Sequence, residues 1–483
     1  MRDSCGSSVT DETRRRLRRV AQRTPRGKRA AWNGNQPLSR AAKVKKTDVK
    51  EVSAVLKKNV LVFPCGSEIG LEINNALKFV KGYKLFGGSS VSDHGKYVYQ
   101  NYIDGIPNID APDFIDHINE VVKKFNIDYI FPAHDSAVLK LAQHQDVLGA
   151  EVITSPKETC EICRSKKKTY EYFADSAFVP GMYSSVGDIP EYPVFLKPDV
   201  GQGSKGVALA KNRSELEYHI EKNTDLLTLE YLPGKEYTID CFSDFNRELR
   251  FVGMRERKRI KSGISVNSAS LEPTAVIRKM AEEINKKLNF RGVWFFQVKE
   301  DKNGEFKLLE ISPRIAGTMS LYRNKGINFP LLSLFDRQEY KLDVIENNFK
   351  IEVDRALINR FTLDFEYKRV FIDFDDAITK DEKINPMVMM YIYQCINKDI
   401  ELVLITKHAR DIRETLTHLK VDHSIFSEIV HITKEDDKHK YIKNDKPSIF
   451  IDDSYSERKM MKEMTGMPVF DLDAIECLID WRN

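Results

Sequence analysis

The stretch LLEISPRIAGT, residues 308–318, decides how this chain is read. It sets a carboxylate, Glu310, and a guanidinium, Arg314, four residues apart at the end of an apolar strand. The preceding run FFQVKE puts an amide, Gln297, on the other strand of an expected hairpin. Carboxylate and amide oxygens are what octahedral Mg²⁺ takes when it also holds nucleotide phosphates, and a planar Arg fork matches phosphate or carboxylate. Taken alone, the same residues suit an edge hairpin with a surface salt bridge, so the decision falls to the sequence around them.

Working upstream, FVGMRERKRIKSG alternates Arg255, Arg257 and Arg259 onto one face of a strand, a row that repels itself unless it meets anions or solvent. LLTLEYLPGKEYTIDCFSD is a strand, a Pro-Gly turn and a second strand, with Glu230 and Glu236 flanking the turn as either ribose-pairing or surface acids. YPVFLKPDVGQGSKGVALAKN gives a strand ending in Lys197, a glycine-rich loop and a returning strand. Gly201, Gly203 and Gly206 allow close backbone approach, so that N–H groups can cradle phosphate above the Lys197 charge; a flexible hairpin is the plainer alternative. CRSKKKTYEYFADSAFVP is a short basic turn and a helix, and Cys160 and Cys163 are helix positions without a second pair to complete a zinc set. Before it, residues 58–158 alternate strands and helices, which implies parallel βαβ units. There NVLVFPCGSEIG is a strand and a turn holding Gly66 and Gly70, a poor dinucleotide fingerprint, and His134 and Asp135 follow a strand's carboxyl end as substrate-side or turn-capping residues.

Downstream of a patternless linker at 336–367, KRVFIDFDDAITKDE, ELVLITKHARDIRETL and KPSIFIDDSYSERKMM are strands that end in Asp373 with Asp375, in Thr406, and in Asp452 with Asp453. Such endings place acids and a hydroxyl at one rim of a parallel sheet.

Composition bounds these readings. The 483 residues allow about two to four domains. No run reaches the roughly eighteen apolar residues of a membrane span. Seven cysteines without framework spacing suit a reducing, cytoplasmic setting. The net charge of +4 hides a basic leader: residues 1–50 hold ten Arg and five Lys against three Asp and one Glu, so the rest is acidic. Residues 1–57 lack hydrophobic periodicity and are expected to be disordered. They are read as a nucleic-acid-binding arm, a transit peptide, or sequence foreign to the working protein such as a mis-assigned start.

From Lys58 to Phe335, the ordered set SKKKTYEYF, VFLKPDVGQGSKG, LEYLPGKEYTID, RERKRIKSG and FFQVKEDKNGEFKLLEISPRIAGT resembles the ATP-grasp superfamily, in particular the branch like the carbamoyl phosphate synthase large subunit. The resemblance implies an α/β and α+β multidomain protein, with a pre-ATP-grasp domain at 58–158 and a two-part ATP-grasp domain at 159–335. It implies that Lys166, Lys197 and the loop with Gly201, Gly203, Ser204 and Gly206 hold ATP phosphates, that Glu230, Tyr231 and Leu232 face the adenine, and that Glu236 binds ribose. Arg257 and Arg314 would act on the acyl phosphate and the transferred phosphoryl group, while Gln297, Glu310 and Ser312 hold Mg²⁺, or Mn²⁺. Two positions depart from the family: Ser165 stands where an Asp is usual, and Ser312 stands where the metal-binding Asn is usual.

Residues 368–483 resemble the haloacid dehalogenase (HAD) superfamily, which implies a Rossmann-like parallel sheet. By that resemblance Asp373 is the nucleophile, Asp375 the general acid and base, Thr406 a phosphate donor, and Lys438, with Lys440 as alternative, the balancing cation. Asp373, Asp375, Asp452 and Asp453 would hold the metal. Ala377 stands where a Thr is usual, and there is no room for a large cap.

The expected function is therefore a ligase that phosphorylates a carboxylate for attack by an amine, fused to a HAD-type phosphatase. Its partners are small-molecule acid and amine substrates and a phosphorylated substrate for the tail, with no membrane partner; self-association is left open. The alternatives are a bicarbonate- or carbamate-phosphorylating enzyme and, from another class, a nucleic-acid-binding protein acting through the leader, disfavoured by the acidic body.

Overall fold

The computed structural model describes residues 57–482 apart from 202, 204 and 444. The leader and Ser204 therefore lie outside the described residues. The chain is mixed α/β in several sheets.

Five strands, β1 (Lys58–Phe63), β2 (Tyr83–Gly88), β3 (Asn101–Ile103), β4 (Tyr129–Pro132) and β5 (Glu151–Val152), form a parallel sheet in the order β3-β2-β1-β4-β5. Gly70 lies inside the helix Glu68–Leu77 and not in the turn before it, because the helix starts at once behind its Ser67 cap. A Cβ at Gly70 would sit 2.4 Å from the Cys65 carbonyl oxygen, so only glycine lets this helix press against the end of β1.

A small antiparallel sheet follows, β6 (Met182–Tyr183), β7 (Val194–Pro198), β8 (Ala208–Ala210) and β9 (Leu226–Glu230), in the order β6-β9-β7-β8. The central sheet holds β10 (Glu236–Ser243), β11 (Leu249–Lys261), β12 (Ile264–Leu271), β13 (Gly292–Glu300), β14 (Phe306–Ser312) and β15 (Glu352–Asp354), ordered β14-β13-β10-β11-β12-β15. Its two faces separate by alternation. Ile239, Cys241, Trp294 and Phe296 pack under the helix Ala275–Lys287, whereas Phe242, Phe251 and Phe295 join Val60, Val62 and Ile73 in a core shared with the first sheet. The interval 336–367, patternless in sequence, contributes β15, whose three residues pair with β12 at the sheet edge. Three residues are too few to show a period, which is why the strand escapes a sequence reading.

The C-terminal sheet is parallel, with β16 (Arg369–Ile372), β19 (Glu401–Thr406), β20 (Glu428–His431), β21 (Ser448–Ile451) and β22 (Val469–Phe470) in the order β20-β19-β16-β21-β22; β17 (Thr379–Lys380) and β18 (Lys383–Ile384) form a separate hairpin. Both faces are buried, Val370, Ile372 and Leu404 on one side and Phe371, Val403 and Phe450 on the other. Among the described residues, no helix is long and apolar enough to cross a membrane.

Candidate active site

On the cavity side of the central sheet, register sets polar residues in rows. Glu310 on β14 is opposite Gln297 on β13, Gln297 is opposite Thr238 on β10, and Thr238 is opposite Arg255 on β11. One step along, Glu236 faces Lys299 and approaches Arg257, 3.2 Å from its Nε. Above the rows lies a cavity of about 200 Å³ lined by Lys197, Glu230, Tyr231, Leu232, Glu236, Gln297 and Glu310. Beside it is a second cavity of about 720 Å³, reaching Asp135, Ser312 and Arg314. The two share Lys166, Gly201, Gly203, Arg257, Gln297 and Glu310 as walls, so they are compartments of one cleft. Gly206, with φ +74°, is outside both linings, although its neighbours Lys205 and Val207 line the smaller cavity.

Lys197, at the end of β7, is buried; its Nζ donates to the Tyr170 hydroxyl at 2.7 Å and to the Leu309 carbonyl at 3.1 Å. Burial pushes its ammonium down to about 7, helped by Lys166 and opposed by Glu310 and Glu236. The folded state thus holds fewer protons here than the unfolded chain between about 7 and the ordinary 10.5, so this group's contribution makes stability rise with pH across that window. Anionic phosphates favour the charged form. A polyphosphate ligand bound here at pH 8 is therefore expected to draw a proton onto the protein, seen with ATP as the probe as a buffer-dependent heat in titration calorimetry, and Lys197→Met should abolish that uptake.

Lys166 opens the helix Lys166–Tyr172, and its Nζ contacts the Asp199 and Gly201 carbonyls at 3.3 and 3.5 Å. Ser165 caps that helix, accepting from Lys168 N at 3.0 Å, and donates to the Asp199 carboxylate at 2.8 Å. Ser165, where the resemblance expects an Asp, thus brings the Asp199 carboxylate to this turn.

The arginine row does not stay on one face. Arg255 is buried against Asp240 at 2.6 Å and contacts Thr318, Arg257 meets Glu236, and Arg259, past a register shift, pairs with Asp354 at 2.7 Å on the outside. Each positive charge meets a protein carboxylate, which removes the expected repulsion. The Arg257 Nε is buried and lies 3.2 Å from Glu236 Oε1, an ion pair whose angle falls short of a hydrogen bond.

Arg314 grips Asp135 with two bonds of 2.6 Å, and Ser312 donates to the same carboxylate at 2.9 Å. Burial pushes Asp135 up, and Arg314 more than offsets this, leaving its carboxyl well below the usual range. Arg314 and Ser312, which line the larger cavity, are thus both tied to the first sheet's Asp135. Among the described residues, Glu310 and Gln297 accept no side-chain hydrogen bond, so their oxygens are open to the cleft, and this pair fits Mg²⁺ without Ser312.

In the C-terminal region, Lys438 lies 2.8 Å from Asp373 and 2.6 Å from Asp452, while Lys440 is on the surface with Asp436 at 3.0 Å. The carboxylates of Asp373, Asp452 and Asp453 have oxygens within 4.8 Å of one another, close enough to share a cation. Burial raises all three acids, with Lys438 opposing. The Asp375 carboxylate is not in that group; it sits on His408 Nδ1 at 2.9 Å, and His408 Nε2 meets Thr415 at 2.9 Å. Thr406 is buried at the end of β19, where its hydroxyl accepts from His408 N at 3.2 Å. Sequence reasoning missed His408, whose one signal is its place two residues after Thr406.

Residues 222–356 match the family described as "ATP-grasp in the biosynthetic pathway with Ter operon", a stretch that includes β15. The arginine-specific carbamoyl phosphate synthase large chain of Halalkalibacterium halodurans is 22% identical over 257 residues, covering 48% of this chain and 23% of that one. A D-alanine–D-alanine ligase of Petrotoga mobilis is 29% identical over 134 residues, 26% of this chain and 44% of that one. This chain thus spans less than half the length of either. Among solved structures, a biotin carboxylase–βγ-ATP complex from Campylobacter jejuni has a TM-score of 0.51 at 19% identity, covering 62% of this chain and 75% of that one. The biotin carboxylase domain of Hydrogenobacter thermophilus 2-oxoglutarate carboxylase, with MgADP and bicarbonate, has a TM-score of 0.52 at 18% identity, covering 62% and 74%. Over 62% of this chain the fold is the ATP-grasp fold of these structures. The matched stretch is of the ATP-grasp superfamily.

Proposed function

We propose that the chain is an ATP- and Mg²⁺-dependent ligase that activates a carboxylate for attack by an amine. The observation that carries this is the shared wall: Lys197 and Glu310 line one cavity, with Gln297 directly across from Glu310. In the reaction a substrate carboxylate oxygen bonds to the γ-phosphorus of ATP as the bond to the β-phosphate oxygen breaks, releasing ADP. The amine nitrogen then bonds to the acyl carbon, phosphate leaves, and the nitrogen loses its proton.

Lys166 and Lys197 neutralise phosphate oxygens, with Gly201, Gly203, Ser204 and Gly206 as the covering loop. Glu230, Tyr231 and Leu232 line the base, Glu236 the ribose, and Arg257, paired with Glu236, brings its positive charge to the acyl phosphate. Glu310 and Gln297 would hold Mg²⁺, whose charge would offset that of the phosphates. Arg314 and Ser312 act through Asp135 as positioning residues. The test is ADP release by purified protein against pools of amino acids and sugar acids; no acid-dependent release above a Glu310→Ala control would sink the ligase. Release with bicarbonate alone would favour the carbamoyl phosphate synthase-like alternative, which two sequence relatives support.

The C-terminal region is proposed to be a HAD-type phosphohydrolase, supported by the Lys438 bridge between Asp373 and Asp452. Asp373 bonds to the substrate phosphorus as the ester bond breaks, Asp375 protonates the leaving oxygen, and water then releases phosphate from the aspartyl group. Asp373, Asp452 and Asp453 would hold the metal, whose charge offsets that of the phosphate. Asp373→Asn is expected to lower phosphate release from an aryl phosphate by about 10³-fold or more, since the nucleophile is lost. Equal release from both proteins would leave this region without that activity.

A further inference from the structure

One wall of the larger cavity is built by three distant parts of the chain and has no task in phosphoryl transfer. Glu68 comes from the first turn of the helix after β1, Gly317 from the segment after β14, and Arg355 from the residue following β15. A Cβ on Gly317 would lie 3.4 Å from Arg355 Nη1 and 3.7 Å from Glu68 Cβ, so the guanidinium and the glutamate stem flank one bare piece of backbone.

Like Arg164 and Glu310, which line the same cavity, these two charges have no ion-pair partner among the described residues, but they alone of the four flank Gly317. Arg255, Arg257 and Arg314 each have a carboxylate within 3.2 Å. Glu72, the other acid near Arg355, is taken by Arg323 at 2.7 Å. Among the described residues, Glu68 has neither an ion pair nor a side-chain hydrogen bond, and Arg355 has only the Ser265 carbonyl, 3.4 Å from Nη1. A carboxylate and a guanidinium that border the same glycine, face the same cavity and do not pair with each other present opposite charges side by side. A ligand with an ammonium and a carboxylate a few bonds apart satisfies both, while a simple amine or a simple acid satisfies one. The missing side chain at Gly317 leaves room for such a ligand's Cα.

We propose that this wall binds a zwitterionic α-amino acid, with its ammonium on Glu68 and its carboxylate on Arg355, and that this amino acid is the amine substrate. The second half rests on the ligase reading; the binding does not.

The test uses the full chain and the twenty amino acids one at a time in saturation-transfer NMR, with the N-acetylated and decarboxylated form of each binder. At least one amino acid is expected to bind, and either modification should weaken it about tenfold or more, the scale of one lost charged contact. Glu68→Gln and Arg355→Met should each do the same while ATP affinity stays within about twofold, which also reports that the variants are folded. Arg355→Lys should recover part of the affinity, and Gly317→Val should block the site. The proposal is overturned if no amino acid binds, if the modified forms bind equally, or if the ATP-competent Glu68 and Arg355 variants bind as the parent does. Binding without acid-dependent ADP release would keep the wall and discard the ligase.

Discussion

Glu310→Ala is expected to lower acid-dependent ADP release by about 10²–10³-fold, the loss typical of removing one preorganised charge from a reacting centre. Glu310 sits at the cavity end of β14, opposite Gln297, and is the acid that acts on Lys197, Arg257 and Arg314 together. Its removal has two consequences of the same sign. The cleft loses the one charged oxygen of the Gln297–Glu310 pair, so a divalent cation is held by a neutral amide and the phosphates alone. Lys197, already down at about 7 through burial, also loses a neighbour that holds it up, so fewer molecules carry the ammonium at neutral pH. Glu310→Gln, which keeps the shape, should share most of the loss, whereas Gln297→Ala, which removes a neutral ligand, should cost about tenfold. Added Mn²⁺, a less exacting ion, should recover Gln297→Ala more than Glu310→Ala. A Glu310→Ala protein within about tenfold of the parent would remove this acid from the chemistry.

What was legible in the sequence follows the range of the interactions involved. Glu310 and Gln297 sit on strands joined by a short hairpin, so their common face can be read from spacing, whereas Lys197 belongs to another sheet and meets them only through the fold. The departure at Ser312 was visible as well, but its cause was not. The serine answers Asp135, 177 residues away, and nothing local ties a turn in the first sheet to the end of β14. The arginine row misled for the opposite reason, since strict alternation was assumed through residues 255–259 and the register shifts between Arg257 and Arg259. Arg355 was hidden by brevity, on the end of a three-residue strand in a segment with no period. In the C-terminal region the strand ends were readable, but the choice of Lys438 over Lys440 was not. Spacing before the last strand is loose, and only the fold brings one lysine between two buried acids.

Asp135→Asn is expected to destabilise the protein by about 3 kcal/mol at pH 7, the lower end of what breaking a buried ion pair costs, because both partners keep some exposure. The side chains of Arg314 and Asp135 are 13% and 19% exposed. Asp135 opens the helix Asp135–Gln143 behind β4 and accepts from Arg314 Nε, Arg314 Nη2 and Ser312 Oγ, so one carboxylate ties the first sheet to the end of β14. An asparagine keeps one acceptor but turns an NH₂ toward the guanidinium, which is left over the Phe295 ring without its paired carboxylate and with only the more distant Glu310 and Glu68 to offset it. The pH dependence separates this from a packing defect. Arg314 holds the folded carboxyl below its ordinary 3.8 against the upward push of burial. The pair's contribution is therefore whole above that value and is lost as pH falls through the lower folded one. Urea denaturation of the two proteins should show a gap at pH 7 that narrows steadily in acid, with unchanged m-values. A gap that persists undiminished into acid would mean the loss is steric. Arg314→Lys separates charge from geometry: a point charge keeps part of the stability but releases the fork that aligns Ser312, so ADP release should fall further than stability does. If both fell in proportion, the Asp135–Arg314 clasp would be a strut of the fold with no separate part in placing the end of β14.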